Sequence, residues 1–252
     1  THDGPFNFEG KWHHHRQVNI WPRPYQQPHP PVWITTGSAG STLPVAQHKH
    51  VAAIFLAGYS KVRPIFDAYR ENYLRLHGQH APLDRLAYCG LIYVGDDEKT
   101  AEDGAEKMMW YMQANKVADH WKNPPGYHPP AVAANVLRGA HVSGSGAAYS
   151  TDLKEHMRRG NVFAGTPDQV FEQIKAFWEY SGGFGHMLMM GQAGHMTERE
   201  TLRSMTLYNQ EVYPRLKELA KVWDPEAIKE TRAEMPDRDH ADITELAVDF
   251  VR

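Results

Sequence analysis

The sequence predicts an α/β protein built on a parallel sheet. Two observations carry that reading. Short apolar runs of strand length alternate with longer segments whose apolar residues recur at helical spacing. Capping boxes, glycine stops and acidic first turns then mark where the helical segments begin and end. Strands that alternate with helices pair in parallel, because each helix serves as the crossover.

Taken in order, residues 1–30 are rich in Pro, His and aromatic residues and show neither period. Trp21-Pro22-Arg23-Pro24 and Gln27-Pro28-His29-Pro30-Pro31 force extended backbone, so this stretch reads as a long ordered connection. Val32–Thr36 is the first buried-strand candidate, followed by the Gly37-Ser38-Ala39-Gly40-Ser41 turn and a helix over Thr42–Lys49. Val51–Ala57 is the second strand, ended by Gly58. Ser60 is placed to cap the next helix, whose apolar face is Ile65, Ala68, Tyr69 and Leu76 and whose stop is Gly78. Leu86–Val94 is the third strand, and Asp96 or Asp97 caps the helix running towards Met112.

Residues 115–150 break the rhythm with loop chemistry at Asn123-Pro124-Pro125-Gly126-Tyr127 and Ser143-Gly144-Ser145-Gly146. Loops of that length in compact domains usually carry function. A helix from about Thr151 to Arg159 stops at Gly160. The next opens on the Thr166 N-cap with Pro167 at N1 and Gln169 completing a capping box, and Ser181-Gly182-Gly183 closes it. His186–Met190 is the fourth strand. Thr197 and Glu200 form a second capping box for a helix through Leu202, Met205, Tyr208, Val212 and Leu216, with Pro214 a local obstacle. Residues 224–252 hold nine acids against four Lys and Arg and end in an amphipathic spacing at Ile243, Leu246, Phe250 and Val251.

Composition narrows the function classes. Lys+Arg 27 against Asp+Glu 30 gives a net charge of −3, too weak a bias to point to nucleic acid or a membrane surface. No apolar run approaches the roughly 18–20 residues that span a bilayer. A single cysteine, Cys89, excludes an internal disulfide framework and fits a reducing, cytoplasmic compartment. The 252 residues match the length of a complete eight-unit barrel, about 250. Only four strand–helix units are visible, so count and length disagree. The chain also begins at Thr1 without Met, which suggests processing or missing upstream sequence.

The Gly37–Ser41 turn is the best local candidate for chemistry. Two glycines allow close backbone approach, and two hydroxyls face the orphan N–H groups where a strand hands over to a helix start. That combination suits a phosphate, although an ordinary capped turn has the same composition. It matches neither the Walker loop nor the dinucleotide fingerprint. The 16 histidines include His13-His14-His15, which neither a helix nor a strand presents to one point, and the pairs His48/His50 and His77/His80. No zinc-type spacing accompanies them, so no metal is expected. Cys89 and the Met108-Met109 and Met187–Met190 clusters read as core, and no nucleophile elbow, kinase signature or Ser–His–Asp order is visible.

Six stretches in order go further: Phe6–Trp12, Pro22–Trp33, Gly37–Thr42, Asn123–Tyr127, Val162–Val170 and Ser204–Pro214. Together, over about residues 5–220, they resemble the bacterial luciferase-like flavin monooxygenases. The resemblance implies a (β/α)₈ barrel that binds reduced FMN at the C-terminal ends of its strands. The stretch Gln26–Pro31 leads, in that family, into the fifth strand, so this chain would supply about the second half of the barrel. On that reading residues 1–223 are barrel with a substrate-side lid at about 115–160, and 224–252 form an acidic tail. The family's first four strands, with its usual catalytic His or Cys, have no counterpart, so the resemblance places no catalytic residue in this chain. An N-terminally incomplete chain and a natural half-barrel that assembles with another chain or with itself both fit.

The resemblance also implies site and partners. The backbone and hydroxyls of Gly37, Ser38, Ala39, Gly40 and Ser41 would hold the flavin phosphate, and Leu56 and Ala57 would approach the flavin ring. A separate flavin reductase would supply reduced FMN, and O₂ would oxygenate a small organic substrate in a homo-oligomeric enzyme. A deazaflavin-dependent oxidoreductase of the same fold and a non-catalytic flavin-binding or assembly fragment are the alternatives.

Overall fold

The computed structural model describes residues 4–114 and 152–225. The loop motifs at Asn123–Tyr127 and Ser143–Gly146, and the amphipathic spacing near the C-terminus, lie outside the described residues. The chain forms two compact units, one up to Val32 and one from Trp33 onward.

The first unit is not the strand-free connection that its prolines suggest. Strands β1 (Phe6–Glu9) and β2 (His14–Val18) form an antiparallel hairpin. Gly10 N–H donates to His13 C=O at 2.8 Å across the turn. Glu9 accepts from Arg16 at 2.9 Å and pairs with His14 at 2.7 Å. A bulge between Phe6 and Phe8 breaks the register, and this masks the period-2 pattern in the sequence. His13 and His15 stack 6.1 Å apart while His14 turns to Glu9, so the three rings do not converge. Both Trp21–Pro22 and Gln27–Pro28 are cis peptides.

The second unit carries the parallel sheet. Its strands are β3 (Trp33–Thr35), β4 (Val51–Phe55), β5 (Leu86–Val94), β6 (Val162–Gly165) and β7 (His186–Met190). The helices are α1 (Thr42–Gln47), α2 (Gly58–His77), α3 (Glu98–Ala114), α4 (Leu153–Arg158), α5 (Pro167–Ser181), α6 (Glu198–Leu207) and α7 (Tyr213–Lys221). Every strand pair is parallel: β3 with β4, and β5 with β4, β6 and β7.

Strand β6 is the addition to the four strands expected. Four residues beside a strong capping box read more easily as a lead-in to α5 than as a strand. Its place follows from hydrogen-bond direction, since residues two apart on a strand point the same way. Cys89 C=O accepts from Leu56 N–H at 3.0 Å, and Leu91 N–H donates to Asn161 C=O at 3.0 Å. Strand β6 therefore occupies the same edge of β5 that β4 has just left, while β7 takes the opposite edge. Across its width the sheet reads β3, β4, β5, β7.

Alternation assigns the two faces. Ala52, Ile54, Leu86, Tyr88, Ile92, Val94 and Phe163 face a core made with α1, α2, α5 and the segment around Leu207 and Val212. Leu91, Tyr93, Val162 and Ala164 face a second core with Met108, Met109 and Leu153 of α3 and α4. The rest of that second face carries Trp33, Phe55 and Leu188, which are 40%, 46% and 39% exposed. Trp33 and His186 meet there with ring centroids 4.7 Å apart. In a flat sheet β3 and β7 would stand about 14 Å apart. The sheet therefore curls toward this face.

Helix ends agree with the sequence with two exceptions. Asp97 caps α3 by accepting from Thr100 N–H at 2.7 Å, while Asp96 pairs with Arg203. Both capping boxes, Thr166/Gln169 and Thr197/Glu200, are formed. Ser60 does not cap α2, which begins two residues earlier at Gly58. Pro214 is no obstacle, and the backbone stays helical from α6 through α7. A π-helical turn over Tyr208–Val212 separates α6 from α7 and places Pro214 in the first turn of α7, where its missing N–H costs nothing.

An ion pair links α3 and α6. Glu200 accepts from Lys107 as well as from Thr197 N–H and Thr197 Oγ1. These bonds, the Lys107 one foremost, hold its carboxyl down at about 2 from an ordinary 4.5. A depressed carboxylate stabilises the fold above its unfolded pKa and loses that contribution as pH falls through the folded value. Thermal melts should therefore show a stability loss between about pH 4.5 and 2 that Glu200→Gln reduces, with the variant already less stable at pH 6.

Candidate functional site

All strands of the sheet are parallel, so their C-terminal ends lie on one side, and each of these ends leads towards a helix start. Ligands of open and closed parallel sheets bind on that side. The residues singled out in the sequence occupy two adjacent turns there, after β3 and after β4.

The β3 turn is open. Gly37, Ser38, Ala39 and Gly40 are exposed, and a Cβ added at Gly37 or Gly40 would meet nothing within 4 Å. Ser38 is extended at φ −154° and precedes a 3₁₀ turn over Ala39–Ser41 that runs directly into α1. The expectation that both hydroxyls face the helix N–H groups is not met. Ser41 Oγ donates to Ser38 C=O at 2.7 Å, and Ser38 Oγ lies 3.4 Å from Ser41 Oγ. Neither serine caps the helical stretch with its side chain. A helix start without a side-chain cap, next to the exposed Ser38 hydroxyl and open glycines, presents donors suited to an anion.

The β4 turn is closed. Leu56 has φ +46° and a buried side chain within the second core, so its hydrocarbon turns inward. Ala57 is partly buried against the first core. Five hydrogen bonds fix this turn. Leu56 N–H donates to Cys89 C=O at 3.0 Å, and Leu56 C=O accepts from Asn161 Nδ2 at 2.5 Å. Gly58 N–H donates to Tyr88 Oη at 3.0 Å, which in turn donates to Gly160 C=O at 2.8 Å. Tyr59 N–H donates to Arg159 C=O at 2.8 Å. Tyr88 is fully enclosed by Phe163, Phe177 and Phe184, and desolvation pushes its hydroxyl far above the ordinary tyrosine range. It stays a neutral bridge.

The bracing residues Tyr88, Gly160 and Asn161 were not singled out in the sequence. They belong to a strand pattern and a helix stop, and only the fold brings them to the β4 turn. Cys89 lies on the curled face, half-buried, with its thiol pushed up to about 11 by desolvation, which makes it a poor nucleophile at neutral pH. Nearby in sequence terms, but on another part of the C-terminal side, a cavity of about 130 Å³ is lined by Glu98, Glu102, Lys154, Met157, Gly165 and Gln169. Among the described residues no three His, Cys, Asp or Glu gather in a way that could hold a metal, and no helix is long and apolar enough to cross a membrane.

Several solved structures share this fold. The monooxygenase RslO1 from Streptomyces bottropensis superposes with a TM-score of 0.61 at 19% identity, over 85% of this chain and 56% of that one. The oxygenating constituent of 3,6-diketocamphane monooxygenase from Pseudomonas putida, solved with FMN, gives 0.54 at 17% identity, over 83% and 58%. The coenzyme F420 dependent tetrahydromethanopterin reductase from Methanopyrus kandleri gives 0.55 at 16%, over 84% and 58%. The chain thus spans somewhat more than half the length of each. No curated protein matches. The family model for luciferase-like monooxygenases matches residues 1–184, and the chain belongs to that family.

The closed β4 turn makes a direct prediction. Gly58 has φ +68°, and a Cβ there would stand 2.3 Å from Arg159 C=O. Gly58→Ala should cost at least about 2 kcal/mol, lowering the melting temperature by roughly 4–8 °C, because left-handed backbone and a backbone clash add. Thermal unfolding by circular dichroism checks it.

Proposed function

We propose that this chain belongs to a flavin-dependent monooxygenase in which the β3 turn grips the phosphate of reduced FMN. The observation that carries the reading is the open, uncapped helix start at Gly37–Ser41, at the C-terminal end of a parallel sheet in a luciferase-like monooxygenase. The four strands across the sheet correspond to the second half of a (β/α)₈ barrel. Their curl, and coverage of a little over half of each solved relative, support that assignment.

The residues present fit the group. The amides of Ala39 and Gly40 and the hydroxyl of Ser38, joined by that of Ser41 once it releases Ser38 C=O, supply donors to a phosphate that carries up to two negative charges, and Gly37 and Gly40 leave room for it. The backbone of Leu56 and Ala57, whose side chains pack into the two cores, forms the adjacent wall that the ring approaches on this reading. Bound reduced flavin supplies the electrons with which O₂ is used to oxygenate a small organic substrate. This chain's part is to anchor, orient and exclude water. A separate reductase supplies the reduced flavin, and the catalytic acid or base lies outside the residues assigned here. A homo-oligomer is the expected assembly.

The F420-dependent reductase among the similar structures favours one second reading, a deazaflavin oxidoreductase using the same phosphate turn. Titration of the chain with FMN, riboflavin and F420, followed by flavin fluorescence, separates the cases. FMN should bind at least tenfold more tightly than riboflavin, which lacks the phosphate. The double variant Ser38→Ala/Ser41→Ala should erase most of that difference, since each charge-assisted hydrogen bond contributes about 1.5–3 kcal/mol. Equal affinity for FMN and riboflavin would sink the phosphate assignment. Preference for F420 would move the protein to the second reading.

A further inference from the structure

We infer that Asn161 is a positioning residue for the flavin site, setting through its side-chain amide the shape of the Leu56–Gly58 turn. The inference rests on the flavin reading above and names a residue that reading does not use. Two stability costs coincide at this point. Leu56 holds a left-handed conformation, which costs a non-glycine residue roughly 1–2 kcal/mol. Asn161 is 1% exposed, and its Oδ1 has no hydrogen-bond partner among the described residues. A buried acceptor left so costs about 1–3 kcal/mol.

A leucine at position 161, branched at Cγ like asparagine though bulkier, would avoid the second cost. What it could not do is donate to Leu56 C=O, the bond that Asn161 Nδ2 makes at 2.5 Å. The backbone of Asn161 is itself fixed on both sides, its N–H donating to His156 C=O at 3.0 Å and its C=O accepting from Leu91 N–H at 3.0 Å. The amide is thus a rigid post, and the Leu56 carbonyl is what it holds. Costs of this kind persist where the surroundings over-determine a strained turn, and such turns concentrate at ligand sites. Here the turn follows the strand next to the phosphate turn, at the same end of the sheet. Asn161 acts on the ligand only through Leu56 and Ala57.

The test titrates FMN and riboflavin into the chain and its variants, reading fluorescence, the absorption band of bound flavin and thermal unfolding. Asn161→Leu should melt cooperatively within a few degrees of the parent, yet bind both flavins at least tenfold more weakly and shift the bound flavin band. Asn161→Asp adds a signature that a purely structural role would not produce. Burial at this site raises the pKa of an aspartate, and its carboxyl can donate to Leu56 C=O only when protonated, so the binding deficit relative to the parent at the same pH should grow at least tenfold from pH 5 to pH 8. This arm decides the matter if the leucine variant fails to fold. Parent-like affinity and spectrum in Asn161→Leu, or a deficit in Asn161→Asp that does not change with pH, overturns the inference. If the parent binds flavin and loses FMN preference in the serine variant while both Asn161 variants bind normally, only the positioning role falls. If the parent binds no flavin, the flavin reading falls and the inference with it.

Discussion

The fold turns on the handover at one edge of β5. This strand is bonded on both edges and buried on both faces, so whatever pairs with its C-terminal half must begin where β4 stops. Leu56 ends β4 by turning left-handed, after donating the last ladder bond to Cys89. Two residues on, Leu91 donates to Asn161, and β6 begins. Asn161 joins the two events, because its carbonyl accepts from β5 just ahead of β6 and its side chain holds the Leu56 carbonyl just past β4. An unmade bond there would leave a buried carbonyl without a partner, at about 1–3 kcal/mol. The end of one strand, the start of another and the shape of the turn between β4 and α2 are therefore one constraint.

The aromatic core follows from the same handover. Tyr88 stands on β5 beneath the turn and spends its hydroxyl on Gly58 and Gly160. Its ring meets Phe177 of α5 at 4.4 Å, and Phe177 also meets Tyr59 at 4.9 Å and Phe163 at 5.4 Å in edge-on or tilted geometry. Rings so arranged contribute roughly 0.5–1.5 kcal/mol each beyond their burial. The hydroxyl can be buried only because it is bonded on both sides. Packing and hydrogen bonding thus support each other around one side chain.

Much of the architecture was legible in the sequence because it rests on local chemistry. Thr166-Pro167 with Gln169, and Thr197 with Glu200, specify helix starts through bonds within four residues. Leu86–Val94 reads as a strand because apolar residues fill both of its faces. The β1–β2 hairpin and β6 escaped for physical reasons. A bulge destroys the alternation of the first, and the second has four residues that pair only because Leu56 vacates the edge. At the site, composition pointed to the Gly37–Ser41 turn but not to where its hydroxyls point. Residues such as Asn161 and Tyr88, whose roles depend on partners 30 to 105 positions away, leave no local pattern.

On the flavin reading, the two turns at the C-terminal end of the sheet divide the work of holding a long, asymmetric molecule. A phosphate is recognised by charge and donors, and it tolerates a flexible, solvated cradle because its interactions are strong and nearly isotropic. The β3 turn is solvated, with an exposed Ser38, open glycines and a helical stretch that begins without a side-chain cap. A planar ring is recognised by shape, and shape requires a wall that does not yield. The β4 turn has the opposite character, with five hydrogen bonds, a buried leucine and a glycine against a neighbouring backbone carbonyl. Their order in the chain needs no coincidence, since consecutive strands of a parallel sheet deliver consecutive turns to the same side. On the flavin reading, the sheet sets the distance between grip and wall, and Asn161 keeps the wall in place.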